Sequence, residues 1–267
     1  MFGPLGDVRK SSQVTNITSF FGAGLDGNVF WILMLFSFLG SFITVAMGIG
    51  GGALLLAVMA SLMPPAALIP VHGVIQFGSN ISRFALLASH TYWPPILAFT
   101  LGTIVGVTLG GAIVIDLPPA VIQISIGCFI AWTVLFNPPK WLHKSPGSVG
   151  AIANFLTMFF GATGVFVAGF SKSLNLPRQA HVATHAAMMS LQHALKVVAF
   201  GILGFSFSTW LPFIAAMIGF GILGTIAGRM VLVRLSDRVF KRTLDIILLL
   251  ISLRLVLNGL STVSGAI

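Results

Sequence analysis

Two segments of the chain carry polar side chains at matching intervals within otherwise apolar sequence. In both segments the marked positions lie 4, 3, 1 and 3 residues apart, and each series ends in a cation. These spacings place the side chains on one stripe of a helix. The two stripes are His72, Gln76, Ser79, Asn80 and Arg83, and His185, Met189, Gln192, His193 and Lys196.

The two stripes contain residue types that commonly bind anions in proteins. A polar stripe ending in a cation is costly inside a lipid-spanning helix, so it should face the protein interior or a water-filled cavity. We interpret the stripes as an anion pathway in which Arg83 and Lys196 supply charge, and amides and histidines supply hydrogen-bond donors. The alternative is that the polar groups join helices while both cations snorkel to an interface. The candidate substrate-binding side chains are His72, Gln76, Asn80, Arg83, His185, Gln192, His193 and Lys196.

The composition predicts an all-α polytopic membrane protein. Hydrophobic residues make up 57% of the 267 residues and charged residues 7%, and the chain contains no Glu. Apolar runs of roughly 20 residues, the length that crosses a bilayer, recur from Trp31 to Leu260. They alternate too poorly for a transmembrane barrel. Residues 1–27 are polar and rich in glycine, and they predict a loose N-terminal tail.

The net charge of +9 is explained by loops rather than by nucleic-acid binding. Many Lys and Arg residues lie between apolar runs, which is typical of loops that face the cytoplasm. A nucleic-acid groove would also need aromatic residues interleaved with basic ones on a soluble face. We therefore expect contact with the lipid bilayer and no nucleic-acid partner.

The chain repeats itself. A shift of 113 residues superimposes glycines, prolines and histidines, including His72 on His185. Further along, after a loop insertion, LGTIVG (101–106) matches LGTIAG (223–228). The ordered matches indicate a duplication, and transporters are often built in this way. Each repeat is predicted to contain a helical hairpin broken by glycines and three transmembrane helices.

Charge counting predicts that the two repeats are inverted. The basic loops 137–147 and 229–242 should both be cytoplasmic. Two ordinary spans lie between them, so segment 148–175 must enter and leave on the same side, with its tip at GATG (161–164). If the first repeat is built in the same way, the chain crosses the membrane an odd number of times within it. The second repeat then begins on the opposite side and is inverted relative to the first. The predicted units are the tail 1–27, the first repeat 28–136, the cytoplasmic linker 137–147 and the second repeat 148–261.

Glycines mark both predicted hairpin tips. We interpret GIGGG (48–52) and GATG (161–164) as breaks after which a new half-helix begins. The N–H groups of such a helix end carry partial positive charge and bind anions. The alternative is that the glycines only allow close helix packing, as we expect for the glycines spaced four apart in 102–111 and 224–228. The candidate tip residues are Gly48, Gly50, Gly51, Gly52, Gly161, Thr163 and Gly164.

The glycine cluster and the segment LPRQAHVATHAAMMSLQHALKVVAFGILGF (176–205) resemble the sulfite exporter TauE/SafE family, over about residues 30–260. The resemblance implies a bacterial inner-membrane, multi-pass transporter of sulfur oxyanions or organosulfonates. The family's glycine motif matches at Gly48 and at 50–52. The second tip keeps only Gly161 and Gly164.

The sequence therefore predicts a transporter of a small anion that works by alternating access at a midplane site. The resemblance implies a small sulfur-containing anion such as sulfite or an organosulfonate, and it favours export, while the residues alone leave the direction of transport open. A passive anion channel and a transporter of small carboxylates are the alternatives. A membrane enzyme would need a nucleophile or a metal constellation, and histidines without carboxylates or cysteines are a poor metal set. We expect no catalytic residue, metal or cofactor, and the sequence leaves open whether the chain forms a homo-oligomer.

Overall fold

The structure, a computed structural model, describes residues 20–47, 50–114, 118–136, 139, 145–231 and 237–264. These residues form ten α-helices and no strand, which confirms the predicted all-α class. Most of the predicted tail and linker lies outside the described residues. The helices are α1 (Gly27–Met47), α2 (Gly51–Leu62), α3 (Pro65–Leu87), α4 (Ile96–Val114), α5 (Pro119–Leu135), α6 (Pro146–Phe160), α7 (Gly164–Ser173), α8 (Arg178–Ile202), α9 (Leu211–Val231) and α10 (Asp237–Ser264).

Four helices are long and apolar enough to cross a membrane: α1, α4, α9 and α10. The last three expose large apolar side chains, and Leu97, Leu109, Ile226 and Leu250 are each more than half exposed. Such faces suit lipid and would be a liability in water. Helices α3 and α8 are equally long, but they carry the polar stripes and pack against each other inside the bundle. The arrangement is that of a polytopic membrane protein.

Both predicted helix breaks are present. Gly50 precedes α2 with φ +103°, and Gly161 follows α6 with φ +75°. Only glycine adopts such positive φ angles without steric cost. The breaks separate α1 from α2 and α6 from α7, so each predicted hairpin consists of two consecutive helices rather than one long helix.

The two hairpins differ in length, although the sequence suggested similar units. Helix α1 has 21 residues and spans about 32 Å, which is enough for a ~30 Å hydrocarbon core. Helix α6 has 15 residues and spans about 22 Å. The reason is local: α6 starts at Pro146, where the Ser145 hydroxyl accepts a hydrogen bond from Ser148 N and caps the helix.

Glycines spaced four apart bring two helix pairs into close contact. Helix α9 packs along α1, where a Cβ on Gly224 would overlap the carbonyl oxygen of Phe38. Helix α4 packs along α6, where a Cβ on Gly106 would overlap the carbonyl oxygen of Ala151. These contacts confirm the packing interpretation of the glycines in 102–111 and 224–228.

The pairing of helices is reciprocal between the two halves. The first helix of each half packs on the fourth helix of the other half, as α1 on α9 and α6 on α4. The stripe helices α3 and α8 pair with each other, as do the last helices α5 and α10. The stripe pair is antiparallel, because Gly73 faces Lys196 whereas the backbone N–H of Tyr92, beyond the end of α3, donates to Thr184 Oγ1 at 2.9 Å.

Close packing at Gly224 predicts a stability difference within one helix. Gly224→Ala should lower the free energy of unfolding by about 1–3 kcal/mol, because the new methyl group meets backbone that cannot yield. Gly219→Ala, also in α9, is the matched control: its Cβ meets nothing within 4 Å and should be neutral or slightly stabilising. Thermal unfolding in detergent measures both, and equal effects would contradict the packing account.

The inverted topology predicts opposite accessibility of two loop positions. Ser145 and Ser206 are both exposed, and only α8 makes a full crossing between them if α6 and α7 return to one side. In a background that lacks Cys128, Ser145→Cys should react with an impermeant maleimide only from the cytoplasmic side, and Ser206→Cys only from the other side. Labelling of both positions from one side of intact cells would contradict the topology.

Candidate functional site

The second stripe contacts the second hairpin tip. Gln192 Nε2 donates to Thr163 Oγ1 at 3.1 Å, and Lys196 Nζ donates to the carbonyl oxygen of Gly161 at 3.4 Å. Thr163 Oγ1 in turn donates to the carbonyl oxygen of Ala153 at 2.8 Å, which ties the tip to α6. These polar side chains are completely buried. Gly164, the first residue of α7, lies against Met189 of the same stripe.

The first stripe contacts the first tip in a similar way. His72 Nε2 donates to the carbonyl oxygen of Gly52 at 3.2 Å. The amide of Gln76 lies over Gly52, where a Cβ would overlap its Nε2 atom. Gly51 packs against the carbonyl oxygen of Gly40 in α1. Of the predicted tip residues, Gly48 lies outside the described residues.

The two stripes meet at the α3–α8 crossing. A Cβ on Gly73 would come within 2.9 Å of Lys196 Cε, so the missing side chain makes room for the lysine. The rings of His72 and His193 lie edge to face, with centroids 6.2 Å apart. The structure therefore gathers both tips and five of the predicted side chains: His72, Gln76, Gln192, His193 and Lys196.

The other predicted side chains lie elsewhere along the stripes. The Arg83 guanidinium folds back onto its own helix, where Nη2 donates to Asn80 Oδ1 at 3.0 Å and to Ser79 Oγ at 3.4 Å. His185 Nδ1 lies 3.3 Å from Ser171 Oγ of α7. Arg83 follows His72 by eleven residues, or about 16 Å along the axis of α3. Asn80, Arg83 and His185 thus form a second group, apart from Lys196.

Both stripe cations are buried without a carboxylate partner. Lys196 is 0% exposed and Arg83 is 8% exposed. Their hydrogen-bond partners among the described residues are neutral: the carbonyl oxygen of Gly161 for the lysine, and Ser79 and Asn80 for the arginine. The complete burial of Lys196 is incompatible with snorkelling to an interface. An unpaired buried charge costs several kcal/mol, and such residues in membranes mark ligand or ion pathways.

Several buried polar atoms around Lys196 have no hydrogen-bond partner in the described part of the chain. They are His72 Nδ1, both ring nitrogens of His193 and Gln192 Oε1. Native proteins leave few buried polar atoms unpaired, and a bound water or ligand usually satisfies such groups. The atoms therefore indicate a polar occupant beside Lys196.

Sequence reasoning missed Thr157 as a part of the site. Its hydroxyl donates to the carbonyl oxygen of Gly161 at 3.1 Å and lies 3.5 Å from Gln192 Nε2. A signal was present, because the shift of 113 residues matches Thr157 with Thr44. A threonine that faces the interior of a helical bundle resembles an ordinary packing residue. Periodicity alone therefore does not identify it as part of a binding site.

A cavity of about 300 Å³ approaches the site from one end of the bundle. Its lining includes Ile69, Met158 and Phe200. Each lies about one helical turn from a site residue, respectively His72, Gly161 and Lys196. The lining comes from the starts of α3 and α5, the end of α6, and the end of α8 with the residues that follow it.

Comparison with known proteins identifies the family. A family model described as "Sulfite exporter TauE/SafE" matches residues 33–255. The chain belongs to the sulfite exporter TauE/SafE family. The matched range contains both stripes, the second hairpin and the first hairpin except for the start of α1, and it supports a multi-pass membrane transporter. No curated protein and no solved structure matches the chain.

The buried lysine of this TauE/SafE protein predicts a trade-off between function and stability. Lys196→Met should raise the free energy of unfolding of the ligand-free protein by about 1 kcal/mol or more, because it removes an uncompensated buried charge. The carbonyl oxygen of Gly161 keeps its bond from Thr157. Lys172→Met, at an exposed position of α7, is the control and should change little. A large loss of stability in Lys196→Met, measured by thermal unfolding, would contradict this view of the site.

Proposed function

We propose that this protein exports a small sulfur-containing anion, such as sulfite or an organosulfonate, across the bacterial inner membrane. The observation that carries the proposal is the burial of Arg83 and Lys196 without a carboxylate partner in the described part of the chain. An anionic substrate is the partner that such cations lack. The family match supports sulfur anions as the substrate class.

The groups around Lys196 suit an oxyanion. The ammonium group supplies charge, and His193, whose two ring nitrogens have no partner among the described residues, can donate a hydrogen bond from one of them. Helix α7 begins beside them at Gly164. The N–H groups of its first turn have no partner within the helix and add partial positive charge. Together these donors replace the hydration that a small anion loses inside the membrane.

We further propose that the two halves are inverted repeats that move against each other. The reciprocal helix pairs and the antiparallel crossing of α3 and α8 support this relation, because a two-fold axis in the membrane plane reverses helix direction. On the predicted topology, the starts of α3 and α5 and the end of α8 face away from the cytoplasm. The cavity of about 300 Å³ would then be an outward-facing vestibule, and rocking of the halves would open the opposite side.

Anion flux in proteoliposomes tests the proposed function. Sulfite uptake or efflux should saturate with concentration, and excess acetate or another small carboxylate should not compete. Arg83→Ala and Lys196→Ala should each lower flux at least about tenfold, since each removes a charged hydrogen-bond partner worth ~1.5–3 kcal/mol. Arg254→Ala and Lys172→Ala, at exposed positions, are the controls.

Three outcomes would contradict the proposal. Wild-type flux in both Arg83→Ala and Lys196→Ala would show that the two cations do not contribute to the anion pathway. Flux of carboxylates but not of sulfur anions would overturn the substrate class. A linear, non-saturating current would identify a passive channel rather than a transporter.

A further inference from the structure

The two buried cations occupy different levels of the α3–α8 crossing. Lys196 lies beside Gly73, and it bonds the second tip at Gly161. The Arg83 guanidinium lies beside Ser79 and Asn80. Six residues of helix separate Gly73 from Ser79, which corresponds to about 9 Å. Each cation therefore has its own set of neighbouring residues.

Each cation has an imidazole from the opposite stripe helix as its neighbour. Lys196 of α8 lies near His72 of α3, and Arg83 of α3 lies near His185 of α8, in each case within electrostatic range. The shift of 113 residues that relates the repeats matches His72 with His185 and the Arg83 position with Lys196. The two groups are therefore corresponding positions of the two halves.

His193 lies between the two groups. It faces His72 across the crossing, and it lies within electrostatic range of both Lys196 and Arg83. It is 1% exposed, and neither ring nitrogen has a protein partner. These observations place His193 between the two cations.

We propose that the pathway contains two oxyanion subsites, one at Lys196 and one at Arg83, joined by His193. This inference rests on the proposed transport of a small sulfur oxyanion and divides its binding site in two. The Lys196 subsite lies next to the cavity, since Ile69, Met158 and Phe200 line that cavity within about one turn of it. The anion enters there and passes along the crossing to the Arg83 subsite. Sites arranged in series hold an ion firmly enough to admit it and weakly enough to release it.

The stoichiometry of direct binding tests the two subsites. The probe is ³⁵S-labelled sulfite, kept under anaerobic conditions, with the full-length protein in lipid nanodiscs and equilibrium dialysis as the measurement. We expect two sulfite ions per wild-type chain at saturation. Lys196→Met and Arg83→Met should each retain one, and the double variant should bind none. Lys172→Met should retain two.

Charge-preserving variants separate loss of a subsite from loss of the fold. Lys196→Arg and Arg83→Lys keep the cation at each level and should retain two bound ions with altered affinity. If either binds fewer than two while thermal unfolding remains cooperative, the proposal fails. Binding of one ion that both single Met variants abolish would show a single shared site, which overturns the two subsites but leaves the proposed function intact. No binding to the wild-type protein would overturn both.

Discussion

The structure depends on one electrostatic constraint: two positive charges lie inside a membrane bundle with no carboxylate beside them in the described residues. Lys196 is completely buried and Arg83 nearly so. Because lipid cannot solvate a charge, α3 and α8 must be shielded from it. The apolar helices α1, α4, α9 and α10 supply membrane-spanning surface, and the stripe helices turn their polar faces towards each other. On the proposed function, a bound anion offsets the free-energy cost of burying these charges.

Glycine is the second requirement of the structure, because neighbouring groups at the site occupy space that a Cβ atom would otherwise fill. Gly73 leaves space for the Lys196 side chain, and Gly52 leaves space for the Gln76 amide. Gly161 adopts a positive φ angle and turns its carbonyl oxygen towards the lysine. Elsewhere, Gly106 and Gly224 allow α4 and α9 to approach neighbouring backbones. Glycine therefore allows close packing in two pairs of helices and makes room for polar side chains at the candidate site.

Much of this arrangement could be predicted from the sequence, because the decisive patterns are local. Helical periodicity identified both stripes, glycine clusters identified both breaks, and four-residue glycine spacing identified the close helix pairs. The unequal lengths of the two hairpins were harder to predict, because the short helix α6 depends on a cap at Ser145. The separation of Arg83 from Lys196 could not be predicted, because it depends on where α3 and α8 cross and in which sense. Periodicity gives the face of a helix but not its register against another helix.

The claim that the buried cations hold the transported anion is tested most directly by locating a bound anion. Selenite is a close analogue of sulfite, and its selenium scatters anomalously. Crystals of the protein grown with selenite should show an anomalous selenium peak next to Lys196 and His193, close enough for the selenite oxygens to accept hydrogen bonds from both side chains, and crystals of Lys196→Met should lack it. Selenium found only at exposed loop residues, or an unchanged peak in Lys196→Met, would contradict the account.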